Sequence, residues 1–568
     1  MYVKTTTVRR GKRTYRYLTL VEAVRDGAKV RHEVVARLGE ASALAESGEL
    51  DRIVAALAAH ANGEWMDATS AESDGAPALG TVAAVWAYWC RLGLDGHFAT
   101  AAAHHAAPVG DAIFAMVANR LADPCSKRKV VDWVSADVVM PEGFATPEAH
   151  QYYRGLDVVA RAKAATEDHL YAALTDLTNL DLRLVCYDLT STYFEGARTS
   201  SDRFASRAFG YSRDHRGDRP QIVIGLLVTG DGIPIAHHVF PGNTNDTSTL
   251  PMVLADLKKR FGVGAITVVA DRGLISADNV CELTEAGFAH VLATRLHNTR
   301  STKAALVGST RPDAVWEAAP DAHSAVCDLD VDGTRHIVVA SFERWVRDAA
   351  RTAELVARTS AALGALEERV RAGRLTDKAA IARAATKILD PSGVARLFDL
   401  EINEASFVYH YDEVALDYEE QLLAGRWVLT TSLGRHQASA VAVLGAYRRL
   451  LEVESSFRVL KDFLELRPVF HWTEDRVRGH VAVCVLAAVI EALMEADLRR
   501  GDVRDPDLVD QRLSPRRALQ ELGRIRAAHI DTGGTTLTLI SRRNALQARI
   551  LDAFGVDTSG WNKRSRGT

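Results

Sequence analysis

Cysteine is scarce in this chain, and long apolar runs are absent. Six cysteines are spread over 568 residues without a CxxC pair, which excludes a disulfide framework or a zinc ribbon and favours a reducing compartment. The longest apolar run, Val481 to Ile490, is stopped by Glu491 and is too short to span a membrane. The first residues carry charges but no apolar secretion signal. We therefore expect a cytoplasmic protein that does not insert into a membrane.

Glycine and proline are also too few for a low-complexity chain, at 39 and 15 residues. The length exceeds that of one small binding module and predicts several domains. The net charge of −4 hides an uneven distribution. Residues 1–40 carry ten Lys or Arg and four acids, and residues 512–568 carry eleven and four. Such basic ends are typical of nucleic-acid contacts or of solubilising tails.

The hydrophobic pattern divides the chain into segments of different character. Alternation around the turn Asp26-Gly27 predicts a β hairpin, apolar spacing of three and four predicts helices, and short apolar runs such as LRLVCYDLT, QIVIGLLVT and AITVVAD predict a mixed sheet. About 130 residues with two predicted strands and one long helix interrupt this sheet, and we interpret them as an inserted domain. The predicted segments are a basic β-rich module (1–65) and a helical domain (81–180), both candidates for DNA binding, a core in two parts (181–295 and 425–500), an insertion domain (296–424) and a basic C-terminal region (501–568).

Two aspartates follow apolar strand residues. Asp188 comes after LVCY, and Asp271 comes after ITVVA and precedes Arg-Gly. Side chains near strand ends often carry function. An aspartate there also caps a turn by accepting backbone N–H groups, so one such residue alone is weak evidence. Two of them in one predicted sheet strengthen the functional interpretation.

A third acid lies on a predicted helix, AYRRLLEVESSFRVLKDFLELRP. Tyr447, Glu454 and Lys461 recur at intervals of seven, nearly two turns, so they share one stripe, with Arg458 at its edge. The alternative is an ordinary solvated face. Glu452 lies about 200° around the helix from Glu454 and is off the stripe. Three carboxylates from distant segments suit two hard divalent cations, which catalyse phosphodiester cleavage or transfer.

These motifs resemble the DDE transposases of bacterial insertion sequences, in the family marked by a Tyr, Arg, Glu, Lys signature around the last acid. The resemblance lies in YDLTSTYFEG, VVADRG, PGNTNDTSTL and the segment from Tyr447 to Lys461 with its continuation to FHW. The N-terminal YRYLTLVEAVRDGAKVRHEVVARLG is similar to the opening of the same subgroup. The resemblance therefore covers most of the chain.

The resemblance implies an α/β fold with an RNase H-like mixed-sheet core. It implies that Asp188, Asp271 and Glu454 are catalytic and bind two Mg²⁺ ions, for which Mn²⁺ can substitute. It also implies that Tyr447 and Lys461 hold DNA phosphates, and that the active assembly is a homodimer on paired ends.

The chain departs from the signature at one position. Leu450 occupies the place of the signature arginine, and Arg448, Arg449 and Arg458 are the candidates for the missing charge. Arg272 is a further candidate for a phosphate contact, with pairing to a nearby acid as its alternative.

These expectations together predict a cut-and-paste transposase associated with the nucleoid. It binds the terminal inverted repeats of its element, cleaves the DNA with metal-activated water and joins the freed 3′-OH to target DNA. The alternatives are an RNase H-like nuclease that does not join strands, and a domesticated DNA-binding protein without catalysis. A two-carboxylate glycosidase explains neither the basic ends nor the stripe from Tyr447 to Lys461.

Overall fold

The computed structural model describes most of the chain: residues 1–11, 13–26, 29–58, 60, 72–73, 75–178, 184–195, 206–261, 266–271, 276–294, 299–508, 511–531 and 536–562. The chain forms two compact units. The first contains Met1–Gly75, Ala528–Leu539 and Lys563–Thr568, and the second contains Ala76–Ala527 and Ile540–Asn562. Within the described ranges, no helix combines the length and the apolarity needed to cross a bilayer.

The first unit is built on a three-stranded antiparallel sheet, one strand more than the predicted hairpin. Its elements are β1 (Tyr2–Arg10), β2 (Arg13–Asp26), β3 (Lys29–Glu40), α1 (Ala41–Glu46), α2 (Glu49–Ala58) and the short β4 (Glu72–Ser73). Only Val21 of the described strand side chains in this sheet is buried, whereas eight basic side chains are exposed. These eight are Lys4, Arg9, Arg10, Arg13, Arg16, Arg25, Arg31 and Arg37.

The second unit begins with helices between residues 80 and 178. They are α3 (Gly80–Arg91), α4 (Leu94–Ala101), α5 (Val109–Ala122), α6 (Lys129–Asp132), which a π-helical turn follows, and α7 (Ala149–Thr178). Almost every side chain of α5 is buried, because this helix packs among the other helices of the unit. The helical segment thus shares one apolar core with the sheet that follows it.

The sheet begins with five strands separated by two helices. These elements are β5 (Leu184–Tyr193), β6 (Gln221–Thr229), β7 (Pro234–Pro241), α8 (Leu250–Phe261), β8 (Thr267–Ala270), α9 (Ala277–Glu285) and β9 (Ala289–Ala293). Strands β5, β6 and β7 are antiparallel neighbours, and β8 and β9 continue the other side of β5 in parallel. The order β9-β8-β5-β6-β7 is that of an RNase H-like sheet, so the predicted α/β class and core are confirmed.

The inserted segment extends this sheet. It contains α10 (Arg300–Ser309), β10 (Trp316–Ala318), β11 (Ser324–Val331), β12 (Thr334–Ser341), α11 (Phe342–Arg371), α12 (Lys378–Leu389), β13 (Phe398–Asn403), β14 (Ser406–Tyr411) and α13 (Glu413–Leu422). The next strand, β15 (Arg426–Thr431), pairs with β9 and β12, so β10, β11 and β12 become its outer strands. The expected long helix is two helices, because α11 ends at Arg371 and Asp377 caps a new one.

The last part of the chain contains helices, several of which cover one face of the sheet, and two short strands. They are α14 (Ala440–Arg448), α15 (Leu450–Arg458), α16 (Glu474–Arg500), α17 (Pro515–Leu522), β16 (Ala527–Asp531), β17 (Thr536–Ile540) and α18 (Ala545–Ala553). The apolar run Val481 to Ile490 lies in α16 and is buried in the core. Helices α8 and α9 cover the opposite face, and the result is a sheet with helices on both sides. In the first unit, β16 pairs with β4.

Candidate active site

Strand register places the two aspartates side by side. In the parallel pair of β5 and β8, Tyr187 lies opposite Ala270. Asp188 is the next residue of β5, and Asp271 directly follows the last residue of β8. Val185, Tyr187 and Leu189 pack on the face covered by α8 and α9. Successive residues of a strand point to opposite faces, so Asp188 points to the face covered by α15. It lies inside β5, not after its end.

The electrostatic environment of Asp188 includes the charges of both other predicted acids. Burial, together with the negative charges of Asp271 and Glu454, raises the pKa of Asp188 to about 7. Two effects favour ionisation: the amide of Leu189 donates a hydrogen bond of 2.7 Å to Oδ1 of Asp188, and Arg213 carries a positive charge. Together they lower the pKa by less than burial and the two acids raise it. A half-buried carboxylate between two others carries negative charge that the protein only partly balances.

The segment that carries the signature is not one regular helix. Helix α14 ends at Arg448, the bond from the amide of Glu452 to the carbonyl of Arg449 spans three residues, and α15 begins at Leu450. A π-helical turn, Val459–Phe463, then contains Lys461. Such π turns are frequent at functional sites. Tyr447, Glu454 and Lys461, which are seven residues apart, therefore do not lie on one stripe of a single straight helix.

The signature side chains nevertheless reach the same region. The Tyr447 hydroxyl donates to Oδ1 of Asp271 at 3.3 Å, and Glu454 is exposed on α15 with its charge acting on Asp188. The Lys461 ammonium donates to Oδ1 of Asp214 at 2.7 Å. Burial lowers the pKa of Lys461 despite that partner. The first two side chains thus meet the aspartates of the sheet, and the third is largely enclosed in an ion pair.

The competing acid Glu452 lies away from this cluster. Its side chain approaches Gly232, in the turn between β6 and β7. The charge of Glu452 acts on Cys186, two residues before Asp188. Glu452 and Glu454 are therefore two carboxylates on one helix with different surroundings.

A loop that the sequence pattern did not single out also contacts the site. In YSRDHRGDRP, the amide of Arg213 donates to Oγ of Ser191 in β5, and its guanidinium donates to Asp246 at 2.6 Å. Asp246 belongs to the PGNTNDTSTL motif. Asp214 is buried and accepts from both Lys461 and Arg467. The only sequence signal was the density of charges in this loop.

The candidates for the missing signature arginine lie in different surroundings. Leu450 is buried in the core, so the signature position has no room for a charge. Arg448 pairs with Asp321 of the inserted segment, and Arg458 is exposed. The charge of Arg449 acts on Cys186, which places it on the sheet side of the helix.

Arg272 lies outside the described residues. Burial raises the pKa of the Cys186 thiol to about 12, as expected for a cysteine that packs as a small apolar side chain. His237 is buried beside Glu167, with Nδ1 2.9 Å from a carboxylate oxygen.

Carboxylate oxygens are the ligands that Mg²⁺ prefers, and this ion commonly takes only one or two of them. Burial first, and then the charges of Asp271 and Glu454, raise the pKa of Asp188, and a bound cation would fit here because it would favour the ionised carboxylate. Within the ranges that the structure describes, no group of three His, Cys, Asp or Glu side chains is arranged to hold one ion.

The fold and these carboxylates define a class. Residues 180–490, more than half of the chain, match the family model of the transposase DDE domain, and the chain belongs to this family of metal-dependent nucleases and transesterases. More particularly, residues 3–71 match the N-terminal domain of the IS1634 family transposases, which makes the chain a transposase of an insertion sequence. Comparison with curated protein sequences gives no match.

Two solved structures with a similar chain are also transposases. The piggyBac transposase synaptic complex with hairpin DNA is 9% identical, with a TM-score of 0.32 over 70% of this chain and 75% of that chain. The Mos1 transposase paired-end complex with the left transposon end is 11% identical, with a TM-score of 0.14 over 29% of this chain and 53% of that chain.

Proposed function

We propose that this transposase moves its element by binding the terminal inverted repeats, cutting at the element ends and joining the freed 3′-OH to target DNA. The observation that supports the proposal is that strand register sets Asp188 beside Asp271, and that the charges of both Asp271 and Glu454 act on Asp188. That place is a half-buried negative cluster on an enzyme fold of the DDE family.

In this proposal, Asp188, Asp271 and Glu454 would hold two Mg²⁺ ions. When bound, such ions neutralise charge and polarise the attacking and leaving oxygens of a phosphodiester. The protein itself fixes the ligands. Tyr447 orients Asp271 by its hydrogen bond, and Leu189 orients Asp188.

Positive side chains around the cluster would hold the DNA backbone. Arg213 lies near enough to Asp188 to lower its pKa, and we infer that it supplies the charge that Leu450 does not. Arg458 is exposed on the same helix as Glu454 and is free of the core. Lys461 would contribute through its ion pair with Asp214, which places both side chains beside Arg213.

The eight exposed basic side chains of β1, β2 and β3 are the proposed first contact with the repeat. Basic residues that contact phosphates displace counterions, so this binding should weaken steeply with salt. A homodimer would bring the two ends of an element together. Such binding to chromosomal DNA would place the protein at the nucleoid.

The test is cleavage of a labelled duplex that carries the DNA flanking the gene, in the presence of Mg²⁺ or EDTA. The variant is Glu454→Gln, and the matched control is Glu452→Gln, which removes the same charge two residues away on the same helix. We expect Glu454→Gln to lose cleavage by at least about a hundredfold and Glu452→Gln to keep it within a few fold. Equal losses in the two variants, or cleavage that persists in EDTA, would contradict the assignment.

A further inference from the structure

A basic cavity of about 460 Å³ lies beside the segment that follows the π-helical turn Val459–Phe463. Its charged lining residues are four cations, Arg120, Lys127, Arg467 and Arg476, and one acid, Glu465. Its two histidines, His471 and His480, have lowered pKa values because they are buried, so they add no charge at neutral pH. The cavity is large enough for a nucleotide-sized ligand and has an excess of positive charge.

Lys127 is the least satisfied of these cations. Its side chain is 4% exposed, and its Nζ has no hydrogen-bond partner among the residues that the structure describes. Burial, and then the charge of Arg120, lower its pKa to about 7. A buried ammonium without a partner destabilises a folded protein. Lys127 is a lining residue of the cavity, so this wall contains an ammonium that is buried and unpaired within the described part of the chain.

Arg120 and His480 shape the same wall. The Arg120 guanidinium donates to the carbonyls of Leu464 and Glu465 at 3.2 and 3.3 Å, which leaves its Nε without a described partner. His480 bonds through Nε2 to the carbonyl of Leu466 at 3.1 Å. These hydrogen bonds tie both side chains to the backbone of Leu464, Glu465 and Leu466.

Aromatic rings line the opening. Phe470 and Trp472 line the cavity, and their side chains are 64% and 46% exposed. The guanidinium of Arg476 lies 5.1 Å from the ring centre of Tyr153, another lining residue. Exposed rings beside cations are typical of sites for nucleotides, because bases stack on rings while phosphates pair with the cations.

The cavity is connected to the candidate active site. Arg467 lines the cavity and donates to Asp214, which also accepts from Lys461. Val469 bonds to the backbone of Tyr193 at the end of β5, the strand that carries Asp188. A DNA strand bound at the carboxylates would therefore extend past the cavity along the same edge of the sheet.

We propose that this cavity binds a backbone phosphate of the DNA substrate, with Lys127 as the principal ligand and the rings at the opening holding the adjoining nucleotide. This inference rests on the function proposed above and adds to it a contact outside the carboxylate cluster. The rings and the connection to Asp214 favour DNA over a free anion.

The test is binding of a labelled duplex to the full chain in EDTA, over a series of salt concentrations. The variant is Lys127→Gln, and the matched control is Lys129→Gln, which removes the same charge from an exposed position two residues on. We expect Lys127→Gln to weaken binding about tenfold and to reduce the slope of log affinity against log salt by about one. The control should change both quantities less.

A second measurement separates a ligand from a structural lysine. Because the free protein buries this charge alone, Lys127→Gln and Lys127→Met should melt at or above the temperature of the wild type when DNA is absent. Melting well below the wild type in both variants would overturn the proposal in favour of a structural role.

Two further outcomes would overturn it. One is an equal effect of Lys127→Gln and Lys129→Gln on DNA binding. The other is stabilisation of the wild type by inorganic phosphate through Lys127 while DNA affinity does not depend on this residue, which would identify a free-anion site. In both cases the wild type still binds and cuts DNA, so the proposed function would stand. A wild type that neither binds nor cuts DNA would refute both.

Discussion

Removing the charge of Asp188 should stabilise the folded protein while it abolishes catalysis. The pKa of Asp188 is about 7, against an ordinary value of 3.8, and one pKa unit corresponds to about 1.4 kcal/mol. Ionising the folded carboxyl therefore costs up to about 4 kcal/mol more than ionising the unfolded one. Asp188→Asn keeps the shape of the side chain and removes this cost.

The sign of the pH dependence follows from the same values. A carboxyl whose pKa is higher in the folded than in the unfolded protein takes up a proton on folding, so the stability of the wild type falls as the pH rises from about 4 to about 7. Asp188→Asn should lack this fall. For a unit of this size the unfolding entropy is roughly 1 kcal/mol/K, so the variant should melt up to about 4 °C higher above pH 7.

The assay is thermal unfolding across this pH range, with and without Mg²⁺ or Mn²⁺. The metal should raise the melting temperature of the wild type, because it binds only the folded site, and should have little effect on Asp188→Asn. Asp231→Asn, at an exposed turn, is the control for the loss of a charge. A variant that melts below the wild type throughout, or that keeps the full response to metal, would refute the reasoning.

Three further substitutions test the neighbours of the cluster. Asp214→Ala leaves Lys461 buried without its partner, and it should destabilise the protein by about 3 to 5 kcal/mol in denaturant unfolding; an unchanged midpoint would contradict the buried pair. Tyr447→Phe removes only the hydroxyl that orients Asp271, so kcat for cleavage should fall while stability changes by no more than about 1.5 kcal/mol; an unaltered kcat would show that the bond has no role. Leu450→Arg restores the signature residue at a buried position, and we expect a loss of stability, read as a lower melting temperature, without a gain in activity; a more active variant would contradict the inference about Arg213.

The candidate site could be proposed from the sequence because two of its three acids follow recognisable strands. Asp188 and Asp271 each come after a short apolar run, and the register of β5 and β8 then makes them neighbours. The role of Glu454 came from the family signature and from its spacing. The break at Arg449 and the π-helical turn could not be predicted, since both depend on packing against the sheet.

The remaining features of the site and of the sheet depend on contacts between distant parts of the chain. Arg213 and Asp214 lie in a loop whose sequence reads as ordinary surface charge, and their partners are Ser191, Asp246 and Lys461. The pairing of β9 with β15 likewise joins residues 135 or more positions apart, so the extension of the core sheet by the inserted segment was not foreseen. Lys127 stands in the run SKRK, where a lysine is normally solvated.

The central claim is that this carboxylate cluster transfers strands as well as cutting them. Its most direct test is the joining of a labelled, pre-cleaved element end with a free 3′-OH to a target plasmid, using the wild type and Asp188→Asn. We predict joined product with Mg²⁺ for the wild type, and none with EDTA or with the variant. Cleavage of the uncut end without joining of the pre-cleaved one would contradict the claim and identify a nuclease.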